Sequence, residues 1–133
     1  MRLDAPYILV IDDDDSIRAL LRLLLEQHGY RVLLAPDGEV GLALAETQHP
    51  DVILLDLAMP HRDGMDVYLD LRHNPHISEI PVLVLSASLT ERDIQTWRGL
   101  TNVVDAIMKP FDVYELLDRL DQICNRGAAQ AGA

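Results

Sequence analysis

The sequence predicts an α/β fold, one parallel sheet of five strands covered by helices on both faces. Three observations carry this. Short apolar runs alternate with longer amphipathic stretches five times along the chain. The strongest runs are continuous rather than alternating, as in strands buried on both faces. The length, 133 residues with 49% hydrophobic side chains, suits a single domain with a real core.

The elements follow in order. Tyr7-Ile8-Leu9-Val10-Ile11 is the first strand. Asp12 to Asp15 follow it, and Asp14 or Asp15, with Ser16 as an alternative, caps the first helix. In that helix Ile17, Leu20, Leu21, Leu24 and Leu25 keep helical spacing, and Gly29 ends it. Tyr30 to Leu34 form a weaker strand, placed nearer an edge. Asp37-Gly38 opens a second helix with Val40, Leu42, Ala43 and Leu44. Asp51-Val52-Ile53-Leu54-Leu55 is the third strand, and Asp63-Gly64 opens a third helix with Met65, Val67, Tyr68, Leu69 and Leu71. Pro81-Val82-Leu83-Val84-Leu85 is the fourth strand, followed by a capping box at Thr90 to Asp93. Val103 to Met108 form the second weak strand, and Asp112-Val113-Tyr114-Glu115 opens the last helix, carrying Leu116, Leu117, Leu120 and Ile123.

Residues 1–6 read as a lead-in, 7–124 as the domain, and 125–133 as a small-residue tail or the start of a linker. Twenty-two acidic against eleven basic residues give a net charge of −11, which disfavours direct binding of nucleic acid or of an anionic membrane. A lone cysteine, Cys124, allows neither an internal disulfide nor a thiolate cage. There is no signal-peptide pattern and no apolar run near the roughly 20 residues of a membrane span, so the expected location is cytoplasmic.

In open parallel sheets, binding sites lie beyond the carboxyl ends of the strands. That edge should gather Asp12 to Asp15, then Asp56-Leu57-Ala58-Met59-Pro60, then Ser86-Ala87-Ser88, then Lys109-Pro110-Phe111. Each group alone is ordinary: caps, loop openers, a surface lysine. Together they are specific. Asp12, Asp13 and Asp56 at strand ends repel one another unless one protonates or a cation sits among them. Oxygen ligands suit a hard cation, and Mg2+ is the natural candidate because it bridges carboxylates to phosphate oxygens. Ser86 and Lys109 could receive the oxygens of a phosphoryl group, and an Asp carboxylate is a competent nucleophile toward one.

With those motifs in hand, the chain resembles a response-regulator receiver domain, the phosphoacceptor module of two-component signalling, in the manner of a single-domain chemotaxis regulator. The resemblance runs from about Tyr7 to Ile123 and also takes in Gly64-Met65-Asp66 and Ile80-Pro81. It implies a flavodoxin-like, doubly wound sheet of order 2-1-3-4-5 with five helices. It implies that Asp56 accepts a phosphoryl group from a phosphohistidine on a sensor histidine kinase or histidine phosphotransfer protein. It implies that Asp13, Asp56 and the backbone carbonyl of Ala58 hold Mg2+ directly, with Asp12 acting mainly through water. Ser86 would turn to the phosphoryl oxygen, Lys109 would pair with carboxylate and then phosphoryl, and the Lys109-Pro110 bond would be cis. The chain would catalyse its own phosphorylation and dephosphorylation without being a metabolic enzyme, and would signal to an output partner or fused output domain. A homodimer is left open.

The chain departs from that family at two places. Ala106 stands where many receivers have Tyr or Phe three residues before the lysine, and Asn102-Val103 stands where many have Gly-Ala. Asn suits a left-handed turn. Trp97 reads either as a partly buried helix anchor or as an output-face contact, and His61 as a solvated loop residue, a pH sensor or a contact to the phosphodonor. Two other functions compete: a metal-dependent Asp-nucleophile phosphatase, which usually carries Asp-x-Asp-x-Thr after the first strand, and a receiver that only scaffolds.

Overall fold

The computed structural model describes residues 5–57 and 63–125. Ten elements alternate: β1 (Tyr7–Ile11), α1 (Asp15–Gln27), β2 (Arg31–Ala35), α2 (Gly38–Gln48), β3 (Val52–Asp56), α3 (Gly64–His73), β4 (Val82–Ser86), α4 (Glu91–Arg98), β5 (Val103–Met108) and α5 (Val113–Ile123). All pairings are parallel, in the order β2-β1-β3-β4-β5. The two strands expected nearer an edge, β2 and β5, are the edges. No described helix is long and apolar enough to cross a membrane.

Three strands sit one residue later than the sequence suggests, for local reasons. The Tyr30 amide is still used by helix α1, donating to the Leu25 carbonyl at 3.0 Å. The Asp51 carboxylate caps the start of β1 by accepting from the Tyr7 amide at 2.7 Å. Pro81 has no N–H for the ladder. The shift matters because Asp56 and Ser86 become the last residues of β3 and β4, not the first of their loops. Ladder partners Leu85 and Met108 therefore hold their backbones.

Alternation along the strands splits the core. Ile8, Val10, Val52, Leu54, Leu83, Leu85 and Ile107 pack with Leu21 and Leu25 of α1 and Leu116 and Leu120 of α5. Leu9, Ile11, Ile53, Leu55, Val82 and Val84 pack with α2, α3 and α4. A register shift opposite Val82/Leu83 makes a bulge at Val104, which is exposed. The bulge puts Val103 and Ala106, three apart, into the same cluster.

Caps and turns follow side-chain chemistry. Asp14 caps α1, accepting from Ser16 and Ile17. Asp37, Asp63 and Asp112 cap α2, α3 and α5. Thr90 and Asp93 form the reciprocal box on α4. Gly29 follows α1 with φ of 93°, and Asn102 takes the left-handed conformation expected of it, φ 61°. Trp97 is the buried anchor rather than a surface contact: it is 6% exposed and meets Tyr68 edge-on at 5.7 Å.

Candidate functional site

The carboxyl ends of β1, β3, β4 and β5 bring together the side chains expected there. Asp12 follows β1 and is 1% exposed; Asp56 ends β3 at 4%; Ser86 ends β4 at 3%; Asp13 is exposed. Carboxylate oxygens of Asp12, Asp13 and Asp56 all lie within 4.8 Å of one another. The donor set is all oxygen, two of its members are nearly buried, and the third opens to solvent that can supply the remaining ligands. The residues present therefore fit a hard divalent cation. Ala58, expected to lend its carbonyl, lies outside the described residues, as do Met59, Pro60 and His61.

Lys109, just past β5, reaches back into this cluster. Its Nζ donates to Asp12 Oδ2 at 2.8 Å and to Asp56 Oδ1 at 3.3 Å. Burial alone would push this lysine down. The hydrogen bond and charge of Asp12, and then those of Asp56, outweigh burial and hold it above its ordinary value. Three carboxylates against one ammonium still leave two negative charges, the charge one Mg2+ would balance. Backbone bonds fix the frame: the Lys109 amide donates to the Ser86 carbonyl at 2.7 Å, and the Leu57 amide to Leu85 at 3.1 Å. The Ser86 hydroxyl oxygen accepts from the Ser88 amide at 3.4 Å. The Lys109-Pro110 bond is cis.

Several polar groups that sequence reading passed over hold this end and the opposite one. Arg18, in the first turns of α1, donates to the Asp12 carbonyl at 2.7 Å and pairs with Asp15. Its three-residue spacing from Asp15 was a visible signal; the longer reach to Asp12 was not. Asp105, a buried carboxylate on β5, is held by Arg98 of α4 at 2.7 Å and Arg119 of α5 at 3.2 Å. At the far end of the sheet, Asp121 of α5 is met by His28 at 2.9 Å and by the Tyr30 hydroxyl. Nothing in local periodicity announces such long-range pairs.

Comparison with known proteins agrees with this arrangement. The sequence model described as "Response regulator receiver domain" matches residues 8–121. The chain is 43% identical over 122 residues to the "DNA-binding dual master transcriptional regulator RpaA" of Synechocystis, covering 91% of this chain and 50% of that protein. It is 39% identical over 125 residues to the "Alkaline phosphatase synthesis transcriptional regulatory protein PhoP" of Bacillus subtilis, covering 93% and 50%. The chain thus spans about half the length of the curated relatives it matches. Among solved structures, the receiver domain of the Francisella response regulator 1452 superposes with a TM-score of 0.82 at 31% identity, covering 90% of this chain and 97% of that one. The chemotaxis protein CheY4 of Vibrio cholerae gives 0.80 at 30%, covering 90% and 98%. The expectation that nucleic acid is not a partner, which rested on net charge alone, receives no support from relatives of which one is named for binding DNA.

Proposed function

The chain belongs to the response regulator receiver domain family, the partners of histidine kinases in two-component systems, and from that premise we propose that Asp56 is its phosphoacceptor and that phosphorylation there switches its protein contacts. The observation that carries the proposal is the Lys109 ammonium seated between Asp12 and Asp56 at the carboxyl edge. It orients the Asp56 carboxylate and stands beside it, as the group that can follow charge onto a phosphoryl oxygen.

The chemistry follows from these positions. An Asp56 carboxylate oxygen attacks the phosphorus of a phosphohistidine on a sensor kinase or phosphotransfer protein. The new O–P bond forms as the P–N bond breaks, and its electron pair leaves with the imidazole nitrogen. Mg2+, held by Asp12, Asp13, Asp56 and the Ala58 carbonyl, would neutralise charge on the phosphoryl oxygens. Lys109, now opposite an acyl phosphate, donates to a phosphoryl oxygen instead of to the carboxylate. The Ser86 hydroxyl lies on the adjacent strand end and donates to another. Attack of water on phosphorus returns carboxylate and phosphate, so the domain resets itself. The location that goes with this reading is the cytoplasm.

Incubation with a small-molecule acyl phosphate and MgCl2 should add one phosphoryl group by intact mass. Asp56→Asn should add none. Undiminished labelling of that variant would remove Asp56 from the role. Multiple turnover of phosphate esters would favour the phosphatase alternative.

A further inference from the structure

Helix α1 turns one of its charged side chains back onto the acidic loop. Arg18 is 15% exposed, although Asp15, its ion-pair partner, is 92% exposed. The guanidinium therefore lies inward of that partner. Its Nη1 donates to the Asp12 backbone carbonyl at 2.7 Å and its Nη2 to the Asp15 carboxylate. Asp12 is consequently held on three sides: its Oδ2 by Lys109 at 2.8 Å, its Oδ1 by the Asp14 amide at 3.0 Å, and its carbonyl by Arg18.

The loop needs such restraint. Asp12 to Asp15 put four carboxylates in succession, and mutual repulsion spreads them. A metal trio requires the reverse, two adjacent side chains delivered to one point. Asp14 is occupied as the cap of α1, and Asp15, which is exposed, is paired with Arg18. The same guanidinium grips the carbonyl between Asp12 and Asp13. The cap takes up Asp14, and one forked cation takes up Asp15 while it holds the Asp12 carbonyl, two contacts at once that a point-charged lysine could not make with the same geometry.

We propose that Arg18 is a positioning residue for the cation site, holding the Asp12–Asp13 backbone so that both carboxylates are presented to Mg2+. The proposal rests on the reading of Asp12, Asp13 and Asp56 as the Mg2+ site. It makes an unusual sign prediction. By charge alone, removing a cation beside a metal site should tighten metal binding. By positioning, it should loosen it, and partners one shell beyond the ligands commonly carry about tenfold or more in metal affinity.

The test is titration of the isotopically labelled chain with MgCl2, followed by amide chemical shifts of Asp13 and Asp14, for wild type, Arg18→Met, Arg18→Lys and Asp13→Asn. The expected result is a Kd about tenfold weaker in Arg18→Met, with Arg18→Lys intermediate because it keeps the charge but not the fork. Equal or tighter binding in Arg18→Met overturns the proposal. Should that variant fail to fold, Arg18→Lys decides: weakened binding in a folded protein supports positioning, and wild-type affinity overturns it. Wild type that binds no Mg2+ overturns the site reading and this proposal together. Wild type that binds while Asp13→Asn does not leaves the site standing and tests Arg18 alone.

Discussion

Lys109 owes its charge to two opposed effects, and their balance sets a pH dependence. Burial disfavours the ammonium, while Asp12 and Asp56 favour it and prevail, so its pKa lies above the ordinary 10.5. A cation whose folded pKa is raised contributes stability that is complete below the unfolded value and lost as pH rises through the folded one. Comparing urea unfolding of wild type and Lys109→Met should show a stability gap on the order of 2 kcal/mol that is level from about pH 7 to 9 and closes above about 10.5. The gap falls short of a fully buried pair because the Lys109 side chain keeps 17% exposure. Asp93 shows the opposite sign at the surface. Thr90, first through its backbone and then through its hydroxyl, lowers that carboxyl's pKa, so its help to α4 is present above the ordinary carboxylate value and lost as pH falls below it. At Ala106 the small side chain sits in the cluster that also holds Trp97 and Tyr68. An aromatic ring comes to this side of the sheet from α4 rather than from β5.

Elements were legible where periodicity was strong, and the turns that join them decided the rest. The continuous runs of β1, β3 and β4 and the caps at Asp37, Asp63, Thr90 and Asp112 are local signals, and the structure carries each of them. Strand ends were less legible because ladder bonding, not apolarity, sets them, which is how Asp56 and Ser86 came to lie inside strands. Helix α3 shows how tightly an element can bear on the site. Its first residue, Gly64, donates to the Leu57 carbonyl at 3.0 Å. A Cβ there would stand 2.8 Å from Leu57 Cα and 3.2 Å from the Asp56 carbonyl oxygen. Backbone cannot yield as a side chain can, so Gly64→Ala should cost about 1–3 kcal/mol in chemical denaturation and slow phosphorylation by displacing Asp56. Gly41 is the milder case, since its Cβ would press on the Ile11 side chain at 2.5 Å, which can turn only within a packed core.

On the scale of the molecule, a ligand that binds only the folded chain must stabilise all of it. At one hundred times its Kd, Mg2+ should add about 2.7 kcal/mol, or about 10 °C in Tm for a domain of this size. Calorimetry with and without MgCl2 checks this, and Asp13→Asn should abolish the shift. The sequence by itself determined the alternation of strand and helix, because short continuous apolar runs, the helical period of 3.6 and the chemistry of caps are local properties. It also determined which residue types stand at the strand ends. Tertiary structure decided the distances. Only the assembled sheet puts Lys109 at 2.8 Å from Asp12, 97 residues away, and gathers three carboxylates within 4.8 Å. The same holds for Arg18 on the Asp12 carbonyl, for the arginines of α4 and α5 on Asp105, and for His28 and Tyr30 on Asp121. The physical reason is that electrostatic pairing acts through space, and a parallel order of β2-β1-β3-β4-β5 makes neighbours of strand ends that the chain holds far apart.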